Sequence, residues 1–270
     1  MTYRFRPGFS RRLGRAAAGY FAAAVVGGAA LLAGQAFAAR HRRYAQPELG
    51  LALQATVGQA DAPPLRLVLL GDSSALGVGV SRLPETVGGQ LAYLLAEGPP
   101  GQLVHLSSVG VSGSRSADLA TQVARALLGE RPDVAVILIG ANDATALRRS
   151  ADAAAYLGRA VRRLRAARVE VVVGTCPDLG AVHAIAPPLR HLVGWSGRRM
   201  ARAQTLAVLT AGGTVVDLAT EAGPVFRADA GTFCQDGFHP SADGYRVWAH
   251  ALFPAVAAAT TMAGRHGRPR

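Results

Sequence analysis

The chain has 270 residues, half of them apolar, enough for one large domain or two small ones with a sizeable core, so disorder of the whole is excluded. The formal charge of +12 gathers at the two ends: residues 1–43 carry eight arginines and no acid, and residues 264–270 carry three more. The stretch between holds 18 arginines against 17 acids, with no nucleic-acid-binding motif, so the charge points to topology signals or a membrane surface and away from a nucleic-acid groove.

The first element is the run "AAAGYFAAAVVGGAALLAGQAFAA" at 16–39, which has 24 residues and no charge. At about 1.5 Å per residue it exceeds the roughly 30 Å hydrocarbon core of a bilayer and predicts an N-terminal hydrophobic helix able to span it. Five arginines precede the run and three follow, which places the N-terminus in the cytoplasm and the rest outside. The run ends in an A-x-A pattern that a signal peptidase cuts after Ala38, so an uncleaved anchor and a cleaved signal peptide both stay open over 1–43. Residues 44–64 read as a linker closed by Pro63 and Pro64, 65–262 as the domain proper, and 263–270 as a basic tail.

Within the domain, "LRLVLL" (65–70), "LVHLSSV" (103–109), "DVAVILIG" (133–140), "VEVVVGT" (169–175) and "TVVDL" (214–218) are short, rich in Val, Ile and Leu, and bounded by Gly, Pro or Asp. They suit strands buried on both faces of a parallel sheet. Stretches at helical spacing lie between them and after the last, which predicts a three-layer α/β domain with right-handed crossovers.

The chemistry of such a sheet gathers at the carboxyl ends of its strands. There the sequence places "GDSS" (71–74), "GVSGS" (110–114), "GANDA" (140–144) and "CPDLG" (176–180). A serine hydroxyl is a weak nucleophile until a base sits within hydrogen-bond reach and an acid orients that base. Ser73 ends the first strand, and "DGFHP" supplies Asp236 and His239 three residues apart, before a Ser241 that caps the last helix. Oxyanion donors are also needed. The candidates are the N–H of Ser73, the N–H of Gly113 and the side-chain amide of Asn142. Asp72 and Asp143 read as carboxylates that fix their loops, and Ser74 as a loop hydroxyl.

The blocks "GDSS", "GVSGS", "GAND" and "DGFHP", in this order over roughly 65–258, resemble those of the SGNH hydrolase superfamily, the GDSL-like lipases and acylhydrolases. The resemblance implies a flavodoxin-like α/β/α sandwich with a five-stranded parallel sheet. It also implies Ser73 as nucleophile, His239 as base, Asp236 as its orienter, and Ser73, Gly113 and Asn142 as oxyanion donors. The second block opens with Ser108 where the family often has asparagine, a departure that touches a supporting hydrogen bond near the serine loop. The implied activity is a serine esterase acting on a lipid or acylated-glycan ester through an acyl-enzyme, without metal or organic cofactor. Acyl transfer to an envelope sugar or lipid hydroxyl shares that acyl-enzyme. A non-catalytic glycan- or lipid-binding domain on the same scaffold is the reading from another class, and the complete catalytic set speaks against it.

Asp236 and His239 lack further ligands at metal-binding spacing, and Arg82 stands where a dinucleotide fingerprint starting at Gly77 requires its third glycine. Cys176 and Cys234 both fall near the predicted catalytic rim. Outside the cytoplasm an even pair predicts a disulfide tying the "DGFHP" loop to the sheet. "PDLGAVHAIAPPLRHLVGW" (177–195) mixes prolines with apolar residues and is the candidate wall of an acyl pocket.

Overall fold

The computed structural model describes residues 7–48 and 54–267; Arg4 and Arg6 of the basic N-terminus, 49–53 of the stretch read as a linker and the tail's last three residues lie outside them. Six strands form one sheet: β1 (Gln54–Val57), β2 (Pro64–Gly71), β3 (Leu103–Ser108), β4 (Val134–Leu138), β5 (Glu170–Gly174) and β6 (Thr214–Val216), in the order β1-β3-β2-β4-β5-β6. The five predicted strands are β2 to β6, and they pair in parallel.

The sixth strand lies within 44–64, the stretch read as a linker. β1 pairs antiparallel to β3, with Gln54 opposite Ser107 and Val57 opposite Val104. Its four residues carry one buried side chain, Val57, too little apolar pattern to announce a strand.

The helices are α1 (Pro7–His41), α2 (Ser73–Leu76), α3 (Val87–Glu97), α4 (Leu119–Ala126), α5 (Ala141–Thr145), α6 (Ser150–Ala166), α7 (Leu189–Thr210), α8 (Leu218–Glu221), α9 (Gly223–Ala228) and α10 (Ala242–Gly267). The two-residue period of a strand sends alternate side chains to opposite faces of the sheet. Leu67, Leu69, Val134 and Val136 thus pack with α3 and α10 on one side. Val68, Leu70, Ala135, Ile137, Val171 and Val173 pack with α4, α6 and α7 on the other. Every residue of β4 and β5 is buried, as the near-continuous Val and Ile runs require. The arginines of α6 face solvent as a charged surface, with Arg165 at its end paired to Glu170.

A third apolar cluster lies beyond the carboxyl end of the sheet, where Cys176, Leu179, Val182, Ile185, Leu189 and Met200 pack together. Leu32 and Ala36 of α1 rest against it. The rest of α1 presents Tyr20, Phe21, Val25, Val26 and Phe37 to the outside, and Tyr20–His41 is long and apolar enough to cross a membrane, with a mean hydropathy of 1.7. α10 passes the same test by length and composition, but Tyr245, Leu252 and Val256 bury its inner face in the core.

Candidate active site

β2 ends at Gly71, whose φ of +141° and contact with the Leu138 carbonyl oxygen leave no room for a side chain. The chain turns there at close quarters to β4 and enters α2, capped by Asp72, whose Oδ1 accepts the Ser74 N–H at 3.0 Å. Burial pushes the Asp72 carboxyl up to about 6, with the bonds from Ser74 pulling the other way. Ser73 opens this four-residue helix, so its N–H is among the donors that a helix's first turn leaves without an intrahelical partner. Gly79 (φ +107°) then lets the loop pass the "DGFHP" segment, since a Cβ there would stand 2.5 Å from the Pro240 carbonyl oxygen. The Tyr245 hydroxyl donates to the Val78 carbonyl at 2.7 Å and pins the loop to α10.

Asp236 and His239 meet Ser73 from the turn before α10. His239 Nδ1 lies 2.6 Å from Asp236 Oδ2, and Nε2 lies 3.1 Å from Ser73 Oγ. A carboxylate only accepts, so Nδ1 carries the proton, and the neutral ring's Nε2 is left to accept from the serine hydroxyl. The remaining capacity of Asp236 is filled as well. Oδ1 accepts the N–H of Phe238 at 2.7 Å and of His239 at 2.9 Å, with the Cys234 thiol at 3.2 Å, while Oδ2 also accepts the Ala45 N–H at 2.9 Å. Burial pushes this carboxyl up, but the bonds from the His239 ring and from the Ala45, His239 and Phe238 N–H groups outweigh it and hold it well below the usual carboxylate range.

The predicted oxyanion donors come from neighbouring loops. Asn142 opens α5 with Ala141 and donates one N–H to the Ser114 carbonyl at 2.9 Å, leaving the second for another acceptor. Gly113 sits in an exposed turn with φ +78° and open space around its Cα. The two loops are riveted by Asp143, whose Oδ2 accepts both the N–H and the hydroxyl of Ser116 at 2.9 Å. Ser108 donates to the Ala75 carbonyl at 2.8 Å, so the serine at this place still holds the loop that carries Ser73.

Two buried glutamines do work that the sequence reading missed. Gln122 of α4 accepts the Gly71 N–H at 2.7 Å and donates to the Gly71 carbonyl at 2.8 Å, clamping the residue that launches the serine turn. Gln204 of α7 accepts the Cys176 N–H and donates to the Ile139 carbonyl, both at 2.7 Å, bridging the ends of β5 and β4. The available signal was position: each is the polar member of an otherwise apolar helix stripe, Leu119-Gln122-Val123-Ala126 and Met200-Ala201-Gln204-Val208. A buried amide on such a stripe has to find partners, and the open backbone at strand ends supplies them.

The predicted disulfide is absent. Cys176 is buried within the third cluster, and the Cys234 thiol is turned to Asp236 instead. Burial, reinforced by nearby carboxylates, raises the Cys176 thiol, and burial pushes Cys234 up to about 11, so both stay protonated at neutral pH.

Ser73, Asn142 and His239 share a pocket with Pro177, Leu179, Val182, Leu218, Phe226 and Trp248. The first part of the candidate acyl-pocket wall thus reaches the site, whereas Leu189 onward forms α7. One carboxylate lies in this wall: Asp178 is buried and paired with Arg227 at 2.6 Å. Among the described residues no cluster of three His, Cys, Asp or Glu has the arrangement of a metal site.

The sequence pattern of the GDSL-like Lipase/Acylhydrolase family matches residues 69–247. A GDSL-like esterase of Mycobacterium tuberculosis is 45% identical over 199 residues, which is 73% of this chain and 63% of that protein, so the match spans less than two thirds of the relative's length. Among solved structures, the fold is similar to a lipase/acylhydrolase from Enterococcus faecalis (TM-score 0.54, 23% identity, 72% of this chain and 96% of the other). It is also similar to a variant of an acetylxylan esterase from Geobacillus stearothermophilus (TM-score 0.55, 18% identity, 74% of this chain and 95% of the other). At these identities the structural likeness speaks to the fold alone.

Proposed function

The chain belongs to the GDSL-like lipase/acylhydrolase family, and from that premise we propose that it is a serine esterase working through an acyl-enzyme on Ser73. The observation that carries this reading is the unbroken line from Asp236 Oδ2 through His239 to Ser73 Oγ, at 2.6 and 3.1 Å. Ser73 Oγ attacks the ester carbonyl while His239 Nε2 takes its proton. The tetrahedral oxyanion is met by the N–H groups of Ser73 and Gly113 and by the Asn142 amide. His239 then returns the proton to the departing alcohol, and water repeats the sequence on the acyl-enzyme.

The apolar pocket beside Ser73 supports an ester with an aliphatic acyl chain. Burying a methylene is worth about 0.8 kcal/mol, roughly fourfold in kcat/KM. Along p-nitrophenyl acetate, butyrate and octanoate, kcat/KM is therefore expected to climb by about that factor per methylene until the pocket is full; a flat series would overturn the acyl-pocket assignment. Asn142→Ala is expected to lower kcat by about 10²-fold or more with little change in KM, because the amide acts on charge that exists only in the tetrahedral state. An unchanged kcat would remove Asn142 from the oxyanion site.

We read the part of α1 ahead of Leu32 as the membrane anchor, its last turns seated on a catalytic domain that lies on the extracytoplasmic side. Its support is the charge-free apolar run that starts at Ala16, the exposed Tyr20, Phe21, Val25, Val26 and Leu31, and the five arginines before the run against three after.

A further inference from the structure

The stretch that leaves α1 does not hang free of the catalytic domain. Gln35 donates to the Pro187 carbonyl at 2.7 Å and accepts the Leu189 N–H at 3.1 Å, a two-point latch on the segment leading into α7. Leu32 and Ala36, on the same side of the helix, pack against the third apolar cluster. Beyond the helix, the Tyr44 ring lies edge-on to Phe238 at 5.2 Å between centroids and to His239 at 6.4 Å. The Ala45 N–H then donates to Asp236 Oδ2, the oxygen that also binds the His239 ring. The latched segment is itself tied to the catalytic turn, because the Ala184 N–H donates to the Gly237 carbonyl at 3.0 Å.

We propose that residues 32–45 are a positioning strap for the catalytic acid: Gln35 latches the end of the N-terminal helix, and the Ala45 backbone N–H completes the donor set that aims Asp236 at His239. Without that N–H, Oδ2 is held only by the ring it is meant to orient. Oδ1 stays held by the Phe238 and His239 N–H groups, but the carboxylate can then rock about its Cβ–Cγ bond and the imidazole loses its fixed aim. A hydrogen bond to a charged group is among the stronger ones in a protein. Its position 191 residues from its partner makes activity depend on how the N-terminal helix is seated. This inference rests on the serine esterase reading.

The test uses the full chain in detergent micelles with p-nitrophenyl acetate, a substrate too small to report on the acyl pocket. Ala45→Pro removes the N–H, at a position outside any helix or strand. Its kcat is expected to fall about tenfold below that of Ala45→Gly, which keeps the N–H, with KM of the two within about twofold. Gln35→Ala, remote from the reacting atoms, is expected to lower kcat about threefold in the same sense. The His239 Nδ1 proton, carried by a short bond to Asp236, gives a low-field NMR signal whose position is expected to move in Ala45→Pro and stay in Ala45→Gly.

Equal kcat in the proline and glycine variants, or an unmoved signal, would overturn the strap. Should Ala45→Pro fail to fold, Gln35→Ala decides: an unchanged kcat overturns the proposal. A parent chain that neither turns over the ester nor takes up a fluorophosphonate overturns the esterase reading itself, and the strap with it.

Discussion

Ser73→Ala is expected to lower ester turnover by roughly 10⁴-fold or more while leaving the melting temperature within a few degrees of the parent. The size follows from the site's construction: the hydroxyl within hydrogen-bond reach of His239 Nε2 is that of Ser73, at 3.1 Å. The fold should survive because the Ser73 hydroxyl serves the histidine, whereas the loop is held by other groups. These are the Asp72 cap, the Gln122 clamp on Gly71, Ser108 on Ala75 and Tyr245 on Val78. A fluorophosphonate probe followed by intact mass and peptide mapping should place a single adduct on Ser73 of the parent and none on the variant. An adduct on Ser74, or turnover retained without the Ser73 hydroxyl, would refute the assignment.

Asp236→Asn should cost about 10⁴-fold in kcat and also destabilise the fold. The substitution replaces one of two oxygens that both accept from N–H groups. With its amide nitrogen toward His239, it donates to Nδ1 and forces the ring into the tautomer whose Nε2 cannot take the serine proton, and it opposes the Ala45 N–H. Turned the other way, it opposes the N–H groups of Phe238 and His239. Either orientation sets donor against donor in a buried site, so a fall in melting temperature should accompany the loss of activity.

The same carboxylate has a pH signature. Its folded value lies below its unfolded one, near 3.9, so its contribution to stability is complete above that value and drains away as pH falls toward the folded one. The parent's denaturant midpoint should therefore drop more steeply than the variant's below about pH 4. Parallel curves, or a variant with near-parent turnover, would show that Asp236 is not the ionised partner of His239.

How much of this was legible depended on whether a residue's role is written in local pattern. The runs at 65–70, 133–140 and 169–175 announced buried parallel strands because both faces demand apolar side chains, and β2, β4 and β5 lie there. The blocks at the strand ends brought Ser73, His239 and Asp236 to one place because a parallel sheet delivers its loops to one edge. The disulfide failed because cysteine count and compartment say nothing of where a thiol points. The glutamine clamps and the Ala45 N–H escaped for a different reason. Their partners are backbone atoms 51 and 65 residues away in one case and a carboxylate 191 residues away in the other, and no periodicity encodes such a meeting.

The short strand β1 gives the chain before the first motif a second physical task. β3 is the outer member of the parallel set, and without β1 its outward N–H and C=O groups would be bare from Leu103 to Ser108. An unpaired edge of that kind is a template on which a second molecule can lay its own strand. Trimming the protein back to residue 64, where its recognisable pattern starts, would convert a guarded edge into an adhesive one. A fragment that starts just ahead of β1 loses α1 as well but keeps the border strand, so comparing its clumping with that of a fragment starting at residue 64 isolates the contribution of the bare edge.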